Sequence, residues 1–157
     1  MNIQATQYSI AGKYLEIFIT GCKGINKCRR QCHNSTLWDF EAGTNADDYI
    51  DLICAKILDN ISLIKMLIIT GGEPLDQDEF ELIKLIKTLK VFKLPIVLFT
   101  SYKFNKVPKS IKEIVDMIKC GPYDESKNDI KDVFYFNLQS TNQILYRKEP
   151  NGEWSCI

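Results

Sequence analysis

Two short runs constrain this chain more than anything else in it. Lys65–Thr70 (KMLIIT) and Leu94–Thr100 (LPIVLFT) are apolar at consecutive positions, not at alternate ones. A strand with one wet face alternates polar and apolar residues, so a strand apolar on both faces belongs in a sheet covered on both sides. Lys13–Thr20 (KYLEIFIT) and Ile114–Lys119 (IVDMIK) read as two further strands, and helical segments separate them. A helix is expected from about Ala46 to Asn60, where Tyr49/Ile50, Ile53/Cys54 and Ile57/Leu58 recur at helical spacing. Asn45 can cap it, and Asp47 and Asp48 favour its positive end. A second is expected over Asp78–Lys90, with Phe80, Ile83, Ile86 and Leu89 as its apolar stripe and Asp76 with Glu79 as a capping-box-like start. PKSIKE, from Pro108, reads as a short helical turn. Strands alternating with helices imply a parallel sheet with right-handed crossovers. At 157 residues the chain fits one domain, 1–157, and falls short of the ~250 residues of a closed eight-stranded α/β barrel. The expected architecture is therefore α/β and open. The C-terminal NQILYRKEPNGEWSCI adds an antiparallel hairpin turned at Asn151-Gly152.

Ligands of such sheets sit beyond the carboxyl ends of the strands. Three loops fall on that edge: GGEP at 71–74, TSYK at 100–103, and the loop after the first strand, FITGCKGINKCRRQCHN, with Cys22, Cys28 and Cys32. A structural zinc wants four protein ligands and a redox dithiol two, so three cysteines in one loop suggest a metal centre left one ligand short. In a four-iron cubane three thiolates leave one iron free for a ligand. The other cysteines differ in setting. Cys54 falls on the apolar stripe of the first helix and reads as a core residue; Cys120 and Cys156 have no close cysteine neighbour and read as inert. His33, adjacent to Cys32, reads as loop structure.

The landmarks GC at 21–22, CHN at 32–34, WDF at 38–40, GGEPL at 71–75, GPY at 121–123 and STNQ at 140–143 span nearly the whole chain. In this combination the sequence resembles the radical S-adenosylmethionine superfamily, and within it the activating enzymes of anaerobic ribonucleotide reductase. The resemblance implies an open, incomplete parallel (β/α) barrel of radical-SAM type, with a [4Fe–4S] cluster on Cys22, Cys28 and Cys32. It implies that Gly71, Gly72, Glu73 and Pro74 bind the methionyl end of S-adenosylmethionine, the glycines allowing close backbone approach, and that Thr100 and Ser101 contribute at the next strand's end. The implied reaction is one-electron cleavage of S-adenosylmethionine and abstraction of a hydrogen from a glycine of the reductase's large catalytic subunit, so the enzyme is an oxidoreductase. That chemistry needs no paired carboxylates and no Ser/His/Asp set, and none is visible. Five residues separate Cys22 from Cys28 and three separate Cys28 from Cys32, longer gaps than the superfamily's usual ones. Gln31 stands where the family often has an aromatic residue or a glycine near the adenine, so that contact is not carried over.

Alternatives are an activase of the pyruvate formate-lyase type, whose chains are generally longer, a small-molecule radical enzyme of the deazaguanine-forming type, and a non-enzymatic zinc module. Lysine and arginine (20) balance aspartate and glutamate (20), so charge implies neither nucleic acid nor an anionic membrane as partner. Lys23, Lys27, Arg29 and Arg30 read first as a solvated loop face and second as a surface for a small acidic electron donor such as flavodoxin. No apolar run reaches the ~18 residues of a membrane span, and the expected location is the cytoplasm.

Overall fold

A computed structural model describes residues 1–24, 32–133 and 136–157. Its main sheet has eight strands, in sheet order β10 (Trp154–Cys156), β9 (Ile144–Lys148), β6 (Met117–Cys120), β5 (Ile96–Thr100), β4 (Met66–Gly71), β2 (Tyr14–Ile19), β1 (Asn2–Ser9) and β3 (Thr44–Asn45). The centre is parallel: β2, β4, β5 and β6 run side by side. The flanks are antiparallel. β1 pairs with β2 and with the two-residue β3, and β9 pairs with β6 and with β10. Asn151-Gly152 sits in the β9–β10 turn, where Gly152 takes φ +84°. A separate hairpin of β7 (Lys131–Val133) and β8 (Phe136–Leu138) lies apart from the main sheet's hydrogen bonding.

Alternation along each parallel strand builds two cores, as runs apolar on both faces require. Leu67, Ile69, Leu98 and Ile118 pack with Ile53 and Ile57 of α1 (Ala46–Asp59), with α2 (Glu79–Leu89) and with Ile111 of α3 (Lys109–Ile114). Met66, Ile68, Val97 and Met117 turn the other way, onto Val133, Phe136 and Leu138 of the β7–β8 hairpin. Among the described residues, no helix is long and apolar enough to cross a membrane.

The helices differ from the sequence expectation in detail. Asn45 caps α1 by accepting from Asp47 N. Cys54 is only half-buried, because Ile53 and Ile57 take the core-facing positions. In α2 the buried stripe is Leu82, Leu85, Ile86 and Leu89, at the i, i+3, i+4, i+7 spacing of one helix face, and Phe80 is 74% exposed. The cap is Asp78, which accepts from Glu81 N. Asp76, the residue expected to open this helix, is committed elsewhere.

Candidate metal and cofactor site

Cys22 and Cys32 line one cavity of about 190 Å³, and so do Gly71, Gly72, Glu73, Thr100 and Ser101. These residues end or follow β2, β4 and β5, three neighbouring strands, at their carboxyl ends. Pro74 is not among the lining residues: it is buried and opens the short 3-10 turn Pro74–Asp76, where its missing N–H costs nothing. Cys28 lies outside the described residues, as do Lys27, Arg29, Arg30 and Gln31. Cys120 is buried in the helix-side core, with burial pushing its thiol up to about 12, while Cys156 is exposed on β10.

The cysteine loop is fastened at both described ends. Gly21 N donates to Leu37 O (2.9 Å) and Cys22 N to Trp38 O (3.1 Å), so the segment carrying WDF closes the loop by backbone pairing. Gly21 adopts φ +94°, and a Cβ there would lie 2.2 Å from the Phe40 ring. The glycine and the phenylalanine of the two landmarks thus occupy one space. Beyond Cys22, Lys23 N donates to Asp76 Oδ2 at 2.6 Å and Gly24 N to Cys22 Sγ at 3.3 Å. A backbone N–H aimed at sulfur favours the thiolate form that iron requires.

The glycine turn supports this loop from beneath. Glu73 N and Gln77 Nε2 both donate to Gly21 O, at 2.9 and 3.1 Å. Gly72 N donates to Ile19 O at 2.9 Å. A Cβ on Gly71 would meet Ile19 O at 2.4 Å, and one on Gly72 would meet Gly21 O at 2.3 Å and Leu37 O at 2.9 Å. The resemblance implies that these glycines let backbone approach a ligand closely; the space at their Cβ positions is filled by the chain itself. Their smallness lets the turn and the cysteine loop touch backbone to backbone.

Glu73 is 3% exposed, and its carboxylate faces inward. Oε1 accepts from Thr100 Oγ1 (2.6 Å) and Leu75 N (3.1 Å); Oε2 accepts from Ser101 N (2.8 Å) and Ser101 Oγ (2.6 Å). Burial raises its pKa, and the donors from Ser101, Thr100 and Leu75 oppose the rise. The sequence-expected residues of the second and third loops are therefore one hydrogen-bonded unit. Asp76 completes it: its second oxygen accepts from Tyr102 Oη at 2.7 Å. Burial, followed by this bond to Asp76, raises the Tyr102 pKa above the usual tyrosine range.

GPY and STNQ form the far rim. Asn142 Nδ2 donates to Pro122 O at 2.6 Å, and Gly121 (φ +105°) would carry a Cβ only 2.6 Å from Asn142 O. The ring of Tyr123 meets that of His33 with centroids 4.8 Å apart, so the cysteine loop touches this rim through a residue the sequence marks as loop structure. Gln77 and Lys119 carry no landmark and escape sequence reasoning, while Asp76 is read there only as a helix cap and Tyr102 only as part of the TSYK loop. Lys119 alone left a signal, a cation inside an otherwise apolar strand.

Among the described residues no three His, Cys, Asp or Glu side chains converge on a common metal position. The donor set nonetheless fits an iron–sulfur cluster: two soft thiols share the cavity wall, one of them receives an N–H, and the remaining cysteine of the loop belongs to the segment between them. Fold and site together define an α/β protein with a cysteine-lined cavity at the carboxyl edge of its parallel strands. The 4Fe-4S single cluster domain family matches residues 11–146, and the chain belongs to that family. It is an iron–sulfur protein, and the match contains Cys22, Cys28 and Cys32 but ends before Cys156. No curated protein matches the chain.

Proposed function

We propose that this chain is a radical S-adenosylmethionine enzyme, the activating enzyme that installs a glycyl radical on the large subunit of an anaerobic ribonucleotide reductase. One observation carries the reading: Cys22 and Cys32 share a single cavity with Gly71–Glu73 and Thr100–Ser101. Family membership supports the cluster and favours it over the zinc alternative. The landmarks from CHN to STNQ support the activase. In this reading the eight-stranded sheet is the wall of an open, incomplete barrel, and the protein works in the cytoplasm as one domain with an electron donor such as flavodoxin.

When bound, the cluster and S-adenosylmethionine supply reductive cleavage of the sulfonium and, through it, removal of a hydrogen atom from the partner's glycine. The protein's own contribution is position. Cys22, Cys28 and Cys32 would hold the iron, with the Gly24 N–H stabilising negative charge on the Cys22 sulfur. The amides of Gly72 and Glu73 are committed to Ile19 and Gly21, so the turn meets a methionyl ammonium through its carbonyls. Glu73 does not reach the ligand in this scheme: it orients Thr100 and Ser101, whose hydroxyls donate to it.

The test is anaerobic. Protein reconstituted with iron and sulfide, reduced, and mixed with S-adenosylmethionine and the cognate reductase subunit should yield a glycyl-radical doublet by electron paramagnetic resonance, with 5′-deoxyadenosine alongside. Omitting the subunit, or changing its acceptor glycine to alanine, should remove the doublet. Cleavage without any radical on the authentic partner would overturn the activase reading in favour of a small-molecule substrate.

A further inference from the structure

Lys119 has no part in the scheme above, and its setting is unusual for a lysine. It interrupts β6 between Ile118 and Cys120, which face the helices, so alternation turns it to the opposite face with Phe99, its register partner on β5. Its Nζ lies 4.6 Å from the centre of the Phe99 ring. Lys119, Phe99 and Gln139 line the thiol cavity, and the same three line a second cavity of about 580 Å³ that reaches Asp132 and Phe136 of the hairpin. The ammonium therefore stands in the wall common to both spaces.

Lys119 is half-buried, and a cation drawn partly out of water is ordinarily paired. Among the described residues no carboxylate lies within 4.0 Å of Lys119 Nζ. The acids that share its surroundings are Glu16 on β2 and Asp132 on β7, both in the second cavity, and Glu73, whose oxygens are occupied by Thr100, Ser101 and Leu75. Burial draws the Lys119 pKa down to about 8, with Glu16 opposing, and burial raises the Glu16 carboxyl in turn. The ammonium still holds its proton at neutral pH, and the Phe99 face compensates only part of its lost hydration.

We propose that Lys119 is a carboxylate-binding residue, its ammonium receiving the carboxylate of the ligand that occupies the thiol cavity. The ligand class follows from the surroundings. A single ammonium offsets one negative charge, and Glu16 and Asp132 nearby would repel a dianion such as a phosphate monoester, so a monoanionic carboxylate fits. It has two sources to distinguish, the methionyl end of S-adenosylmethionine or the molecule that loses hydrogen, and in the second case that molecule is a small acid and not the protein glycine of the activase reading. The proposal rests on reading the cavity as the reaction site.

The test uses reconstituted holoprotein and amine-directed labelling near neutral pH, with modification of Lys119 followed by peptide mass spectrometry. The probes are S-adenosylmethionine, decarboxylated S-adenosylmethionine and acetate. If the methionyl carboxylate is the partner, S-adenosylmethionine protects Lys119 and the decarboxylated compound does not. Lys119→Met, which keeps length and packing, then loses affinity for S-adenosylmethionine at least about thirtyfold by calorimetry, while affinity for the decarboxylated compound holds. If the carboxylate belongs to the substrate, acetate protects Lys119, S-adenosylmethionine does not, and Lys119→Met binds S-adenosylmethionine as the wild type does. Equal protection by both adenosyl compounds, or protection by no probe, overturns the proposal. Failure of the wild type to bind S-adenosylmethionine at all would instead defeat the radical-enzyme reading, while acetate protection would still decide the role of Lys119.

Discussion

Gly72→Ala tests whether the glycine turn supports the cluster loop. The added Cβ would stand 2.3 Å from Gly21 O, 2.9 Å from Gly21 C and 2.9 Å from Leu37 O, all of them backbone atoms. No rotamer change relieves that overlap, so the two segments must separate. Overpacking of a tight contact costs about 1–3 kcal/mol. Moving Gly21 O also weakens the bonds it accepts from Glu73 N and Gln77 Nε2, each worth about 1 kcal/mol. The expected destabilisation is about 2–5 kcal/mol, and it falls on the residue immediately before Cys22. Anaerobic denaturant titration measures the first effect; iron per protein and the visible spectrum after reconstitution measure the second. Gly152→Ala is the control, because its Cβ would meet nothing within 4 Å at φ +84° and the cost is left to backbone strain, about 1–2 kcal/mol. Gly72→Ala should lose both stability and iron, and Gly152→Ala stability alone. A Gly72→Ala protein with wild-type stability and a full cluster would refute the reasoning.

Alanine at Cys22, Cys28 or Cys32 should abolish a stable cluster, whereas alanine at Cys54, Cys120 or Cys156 should leave iron content intact; a Cys120 as necessary as Cys22 would show the ligand set to be wrong. Glu73→Gln presents an amide to donors now held by carboxylate oxygens, and should cost about 2–4 kcal/mol in denaturant titration with Thr100 and Ser101 disordered together, while Thr100→Val, losing a single bond, should cost less. Lys119 carries a pH signature: its folded pKa of about 8 lies below the ordinary 10.5, so between those values the unfolded chain binds more protons and stability rises with pH. The stability of wild type minus that of Lys119→Met should therefore climb across this window and stay flat below it; a flat difference throughout would remove the half-buried ammonium from the account.

The parallel strands were legible because burial on both faces leaves a plain record: consecutive apolar residues in β4 and β5, each stopped by a polar loop at the carboxyl end. The loops were legible by their residue types, cysteines in one and glycines in another. What the sequence could not convey was which side chains serve the loops and which serve the helices. Asp76 and Asp78 are near-equivalent as helix caps on paper; the chain uses Asp78 for the cap and folds Asp76 back on Lys23 N and Tyr102. In the same way, the apolar stripe of α2 has two plausible phasings, and only the packed neighbours choose the one that leaves Phe80 outside. β1 was invisible because its eight residues are mostly polar and only Ile3 is buried, and β7 and β8 because three-residue strands resemble loops.

The network around Glu73 and Asp76 also explains how the chain tolerates a cysteine spacing longer than its resemblance would lead one to expect. The two described ends of the loop are fixed independently of the residues between them: Gly21 and Cys22 by the backbone of Leu37 and Trp38, Lys23 by the Asp76 carboxylate, and Gly21 O by Glu73 and Gln77. With its ends already fastened, a loop gains little closure entropy cost from extra residues, a fraction of a kcal/mol for two or three. Cys22 therefore owes its place to the glycine turn rather than to loop length. Shortening the gap between Cys22 and Cys28 should disturb the cluster less than removing the Asp76 carboxylate, since Asp76→Ala leaves Lys23 N and Tyr102 Oη without their acceptor in a site that Asp76 exposes to water by only 7%. Cluster content of a two-residue deletion and of Asp76→Ala, reconstituted side by side, measures this order, and the reverse order would mean that the loop, not its anchors, sets the position of the iron.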